Sequence, residues 1–164
     1  MIQFIDTKQI LNELDPRSGI GDDLLNFVLK LVPYTGIELY IKNEKNEFLL
    51  SYRNDEFYHG WHFIGGMLRC RESWANRIIE TAIKEIGVEI EFDELPFFVK
   101  ENWNEKIDPR GHSINLLFRA SIKKGNESNL RLWDGTRNLC NGDLYWFSKR
   151  PENILEMHKV YFEL

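Results

Sequence analysis

The chain has few of the residues that build special-purpose scaffolds. Its two cysteines, Cys70 and Cys140, stand far apart in 164 residues, with neither the paired spacing of a metal knuckle nor the density of a disulfide framework. That usage is expected of a reducing, cytoplasmic setting. No apolar run approaches the roughly 18 residues of a membrane span, and the start, MIQFIDTKQILNELD, lacks the basic stretch and long apolar core of a signal peptide. Basic runs are scarce too. Lys123-Lys124 and Lys149-Arg150 are the only doublets and the net charge is −5, so no nucleic-acid partner and no membrane surface are expected, while a small phosphorylated molecule needs only local positive charge. Repeats and low-complexity segments are absent.

What is present suits one core, with 43% hydrophobic and 13% aromatic residues in a chain long enough to bury them. Residues 1–32 read as a helical extension. Ile10, Leu11 and Leu14 form one apolar stripe and Leu24, Leu25, Val28 and Leu31 another, joined by the turn-rich connector 15–21. These helices are expected to pack on the core or on a second copy, the latter making a homodimer. Residues 33–164 hold the main domain, with strands predicted at 36–42, 47–52, 61–65, 96–101, 112–122 and 143–148 from β-branched and aromatic runs flanked by turns. A last helix is predicted from Pro151 to Tyr161, with proline in its first turn.

The densest signal is GGMLRCRESWANRIIETAIKEIGV, residues 65–88: a glycine turn, a spaced acid, an amphipathic helix and a terminating Gly-hydrophobe pair. The helix is predicted from Ser73 to Ile86, with Trp74, Ile78, Ala82 and Ile86 on one face and Ile79 and Ile83 widening it. Gly87 is the expected stop, free to take positive φ.

This segment resembles a Nudix box: G, five residues, E, seven residues, then R-E-U-x-E-E-x-G-U with U apolar. Laid from Gly66 it brings Glu72, Glu85, Gly87 and Val88 into register, while Glu80, Thr81 and Lys84 occupy positions the box gives to charged catalytic residues. The resemblance extends over roughly residues 34–160, through GIELYIKNEKNEFLLSYR (36–53), HGWHFIGG (59–66), GHSINLLFRASI (111–122) and DLYWFSKRPENI (143–154). It is nearest to the GDP-mannose mannosyl hydrolase-like branch, which also loses helical acids and in which water attacks the sugar carbon instead of phosphorus.

The resemblance implies an α/β fold, the Nudix α/β/α sandwich with a mixed β-sheet, and hydrolysis of a nucleoside diphosphate sugar or related diphosphate. It implies a single Mg²⁺ (or Mn²⁺) held by the Gly65 carbonyl and Glu85, because carboxylates of such a box hold the ion against phosphate oxygens. Arg53 matches a phosphate-binding arginine, Glu72 the loop-orienting acid, and His112 an active-site histidine able to steady the leaving group. The branch has arginines at the positions of Met67 and Glu80, and a Gln-His pair at about Cys140 and Asn141. Arg69, two residues past Met67 on an extended segment, is expected to point the same way and replace a phosphate contact. Asp134 and Asp143 are the candidate bases in place of the missing histidine. Glu80 and Lys84, four apart, are expected to pair along the helix. Two alternatives stand beside this reading: a catalytically silent domain that binds a nucleotide sugar or a protein partner, and a pyrophosphatase that attacks phosphorus.

Overall fold

The computed structural model describes residues 20–106 and 110–164. The predicted stripe of Ile10, Leu11 and Leu14 lies outside the described residues. The second predicted helix is present as α1 (Asp22–Leu29). It ends before Leu31, which is exposed.

Two sheets follow. The larger runs β4 (Gly65–Met67), β1 (Tyr34–Ile41), β7 (His112–Ile122) and β5 (Ile90–Phe92), with β6 (Phe98–Trp103) also on β7. The pairing of β1 with β7 is parallel, from Tyr34 opposite Ser113 to Ile41 opposite Ala120, and its other pairings are antiparallel, so the sheet is mixed as expected. The smaller sheet orders β3 (His59–Phe63), β2 (Phe48–Asn54) and β8 (Leu144–Phe147), all antiparallel. The stretch predicted as one strand at 61–65 is divided between the sheets at Ile64. That residue is fully buried, and its carbonyl accepts from the Leu39 N–H at 2.8 Å.

Strand β1 is buried from Gly36 onward, as befits a central strand covered on both faces. Its odd residues Ile37, Leu39 and Ile41 share a core with Ile78, Ala82 and Ile86 of the box helix. Its even residues Glu38 and Tyr40 turn to the opposite face. There Tyr40 stacks near Phe63 at 5.8 Å, and Phe63 meets Tyr161 edge-on at 5.2 Å. Ile79 and Ile83, expected to widen the core stripe, are exposed; the buried face instead takes Arg77 and Thr81.

The closing segment departs from the predicted α-helix over 151–161. A 3₁₀ helix forms at Glu156–Glu163, because the preceding residues are committed to β3: Trp61 N–H donates to Asn153 O and Leu155 N–H to Trp61 O. Those groups are then lost to any helical ladder. Among the described residues no helix is long and apolar enough to cross a membrane.

Candidate active site

The two glycines that open the box are forced by close approach. A Cβ on Gly65 would lie 2.6 Å from the Ile37 carbonyl oxygen, and one on Gly66 would lie 2.8 Å from Thr81 Oγ1 and 3.1 Å from Arg77 Cδ. Edge strand β4 is therefore clamped between β1 and the helix. The bonds Leu39 N–H to Ile64 O and Leu68 N–H to Thr35 O set the ladder's phase. Gly65, opposite Glu38, then falls at a non-hydrogen-bonded pair, with its N–H and C=O both turned away from β1. The N–H lies toward the Glu85 carboxylate and pulls its pKa down, against the larger effect of burial. The carbonyl likewise makes no ladder bond to β1.

Helix α2 (Trp74–Thr81) starts at Ser73, whose Oγ accepts from the Asn76 N–H at 3.2 Å. Replacing Ser73 by Ala is expected to cost about 1 kcal/mol in urea unfolding, the worth of one such cap; an unchanged midpoint would show that the helix start is held by other contacts. At Ala82 the helix widens into a π-turn, Ala82–Ile86, closed by Gly87 N–H to Ala82 O at 2.9 Å, and Gly87 takes the expected left-handed conformation at φ 80°. The wider turn breaks the four-residue phase. Glu80 and Lys84 consequently form no ion pair, and Lys84 joins Glu85 in lining a cavity of about 490 Å³, a size that suits a small-molecule ligand. Burial raises the Glu85 carboxyl to about 7, against the opposing pull of Lys84, Arg53 and the Gly65 N–H.

Of the residues expected in the site, Gly65, Glu85 and Arg53 line this cavity. Arg53 is tied to Asp55, Nε to Oδ2 at 2.6 Å, and lies over the Tyr58 ring at 4.8 Å. Glu72 lies outside the cavity lining. It accepts from the Arg69 N–H at 2.9 Å and holds the Arg77 guanidinium through both oxygens at 2.9 and 2.7 Å. It is a clasp that fixes the glycine loop, because Arg77 packs against Gly66.

Arg69 does not replace the Met67 position. Met67 lines the cavity, but the extended segment stops there, a turn with Arg71 at φ 61° follows, and Arg69 is exposed and outside the lining. His112 is also elsewhere, with Nε2 3.0 Å from Glu101 Oε1 and its ring stacked on Trp103 at 5.1 Å, in a separate hollow. Asn115 is the cavity residue of β7, and a residue three positions away projects to the opposite face. Asp143 is gripped by both Arg137 nitrogens and the Cys140 N–H, which hold its carboxyl below the usual range. Asp134 closes a local turn with Thr136. Neither lines the cavity.

Sequence reasoning missed the cavity floor. Glu38, buried, accepts at Oε1 from Asn115 Nδ2 (2.9 Å) and faces His158 Nε2 at 2.9 Å. Phe63 N–H donates to His158 Nδ1 at 3.1 Å, so the neutral ring carries its proton on Nε2 and donates to Glu38. Glu38 Oε2 is buried without a partner. His62, also lining the cavity, is depressed to about 3, chiefly by burial, and is neutral at ordinary pH. One sequence signal was available: a lone acid inside the buried strand GIELYI.

Among the described residues no group of three or more His, Cys, Asp or Glu is placed to hold an ion. One carbonyl and one carboxylate fit a Mg²⁺ that keeps several waters and takes phosphate oxygens, and do not form an all-protein cage.

The architecture is that of the Nudix fold. Solved structures that it resembles include a MutT Nudix hydrolase from Burkholderia pseudomallei (18% identity, TM-score 0.60, covering 80% of this chain and 97% of that one). A MutT protein from Methanosarcina mazei Go1 matches at 19% identity and TM-score 0.55 over 80% and 91% of the two chains. A UDP-X diphosphatase matches at 15% identity and TM-score 0.55 over 97% of this chain and 67% of that one. No family model and no curated protein matches the sequence.

Proposed function

We propose that the protein is a Mg²⁺-dependent hydrolase of a nucleoside diphosphate sugar or a related diphosphate-linked nucleotide. The observation that carries this reading is the convergence of Glu85, the outward-turned Gly65 and Arg53 on one cavity. Mg²⁺ bound there supplies charge neutralisation to the diphosphate. Arg53, with Nε committed to Asp55, has its remaining guanidinium donors for phosphate oxygens. The UDP-X diphosphatase among the fold neighbours, whose name specifies a nucleoside diphosphate derivative, supports this substrate class. His112 and Arg69 have no part in it.

A second reading, a silent domain that binds the nucleotide without hydrolysing it, is favoured by one observation: Lys84 lines the cavity beside Glu85, where it opposes a cation. Hydrolysis of nucleotide sugars and nucleoside triphosphates with Mg²⁺ or Mn²⁺ decides between them. Free sugar plus diphosphate means attack at carbon, monophosphates mean attack at phosphorus, and binding without turnover means the silent domain. For an active enzyme, Arg53→Ala is expected to raise KM by roughly tenfold or more, the loss of a charge-assisted contact. An unaltered KM and kcat would remove Arg53 from the site.

A further inference from the structure

The structure assigns to Arg110 the role of second phosphate-binding arginine, a role that rests on reading the cavity as a diphosphate site. Expectation had placed that charge at Arg69, which lies outside the cavity lining; Arg110 lines it.

The segment after β2 is built to hold two guanidinium groups. Asp55 Oδ1 accepts from the N–H groups of Phe57 and Tyr58 at 2.9 and 2.8 Å, and Asp55 N–H donates to Tyr58 O at 2.9 Å. These bonds fix a tight loop that presents two consecutive rings. The Arg53 guanidinium lies over Tyr58 at 4.8 Å and that of Arg110 over Phe57 at 4.5 Å. A guanidinium supported on its flat face is oriented without spending its in-plane N–H groups, which remain available for an anion's oxygens.

The hydrogen-bond state of Arg110 agrees. Its Nε is buried without a partner. Among the described residues the carboxylate paired with it, Asp22, sits 3.9 Å from Nη2 and is itself almost fully exposed, too far for a hydrogen bond. The terminal nitrogens of Arg110 form no hydrogen bond among the described residues, and a guanidinium at a cavity wall is stabilised by acceptors that a ligand brings. A diphosphate spanning Arg53 and Arg110 supplies several, and the Asp55 loop sets the spacing between the two clamps.

The test is calorimetric titration of the full chain with inorganic pyrophosphate, and separately with uridine diphosphate, in Mg²⁺ at fixed low salt. Arg110→Ala is expected to weaken both by roughly 10- to 100-fold, the usual range for a lost hydrogen bond to a charged group. Arg110→Lys, which keeps the charge but not the fork, should fall between. Unchanged thermal unfolding of the two variants shows that binding, not folding, was altered. Phe57→Leu keeps Arg110 and removes only its flat support, so a loss of several-fold is expected there. Wild-type affinity in Arg110→Ala, or no pyrophosphate or uridine diphosphate binding by the wild-type chain, overturns the assignment. Binding that depends on Arg110 in a protein that hydrolyses no nucleotide sugar supports the assignment while the hydrolase reading falls.

Discussion

Replacing Glu85 by Gln is expected to lower metal-dependent turnover by roughly a thousandfold, the several kcal/mol that a ligated cation supplies to a charged transition state, and at the same time to raise the protein's stability at pH 8. The second effect follows from burial. The carboxyl titrates at about 7 in the fold, against 4.5 ordinarily, because desolvation outweighs the nearby cations and the Gly65 N–H. Below pH 4.5 both folded and unfolded chains hold the proton and Glu85 costs nothing. As the pH rises from there, the unfolded chain releases its proton first, so stability is lost progressively until the folded carboxyl has also ionised, above about 7. The full loss is roughly 3 kcal/mol.

Gln retains an acceptor for the Gly65 N–H without ionising, so the variant should melt several degrees higher than wild type at pH 8 and match it near pH 4. Mg²⁺ should stabilise the wild type increasingly above pH 7 and leave the variant unmoved. Melting curves across pH with and without Mg²⁺ check each part. A variant less stable than wild type at pH 8 would show that the Glu85 carboxylate is a structural anchor, and retained turnover would dismiss it as a ligand.

Much of this was legible in the chain because it is local. The box spacing marked Gly65 and Glu85, which line one cavity, and the helix stop at Gly87, and β-branched and aromatic runs marked β1, β2, β6, β7 and β8 to within a few positions, while β5 went unpredicted. Failures came where local counting stops. The four-residue rule paired Glu80 with Lys84, but the π-turn at Ala82–Ile86 rotates position 84 into the cavity wall, and no residue in TAIKEI announces that turn. Period-two counting carried Arg69 to the side of Met67 past the end of the strand. His112 was assigned through a motif, whereas the cavity side of β7 belongs to Asn115. The Glu38–His158 contact joins residues 120 positions apart, and no spacing rule reaches that far.

The remaining large effect concerns the backbone. Gly65→Ala should cost roughly 3 kcal/mol of stability, the scale of forcing a carbon into filled space, and should weaken Mg²⁺ binding more than the loss of stability explains. The new methyl would meet the Ile37 carbonyl oxygen at 2.6 Å and Glu38 Cγ at 3.1 Å. Backbone oxygen cannot swing aside as a flexible side chain can, so β4 must move outward from β1. That movement carries the Gly65 N–H away from the Glu85 carboxylate and the Gly65 carbonyl away from the proposed cation position together, since both belong to the same residue at the same non-bonded register position. Gly87→Ala serves as the comparison: a methyl there meets nothing within 4 Å, so its cost is confined to a left-handed backbone of about 1 kcal/mol. Urea unfolding ranks the two losses, and Mg²⁺ titration of the folded variants separates the site effect. Equal Mg²⁺ affinity in Gly65→Ala and Gly87→Ala would mean that the Gly65 carbonyl does not face the ion.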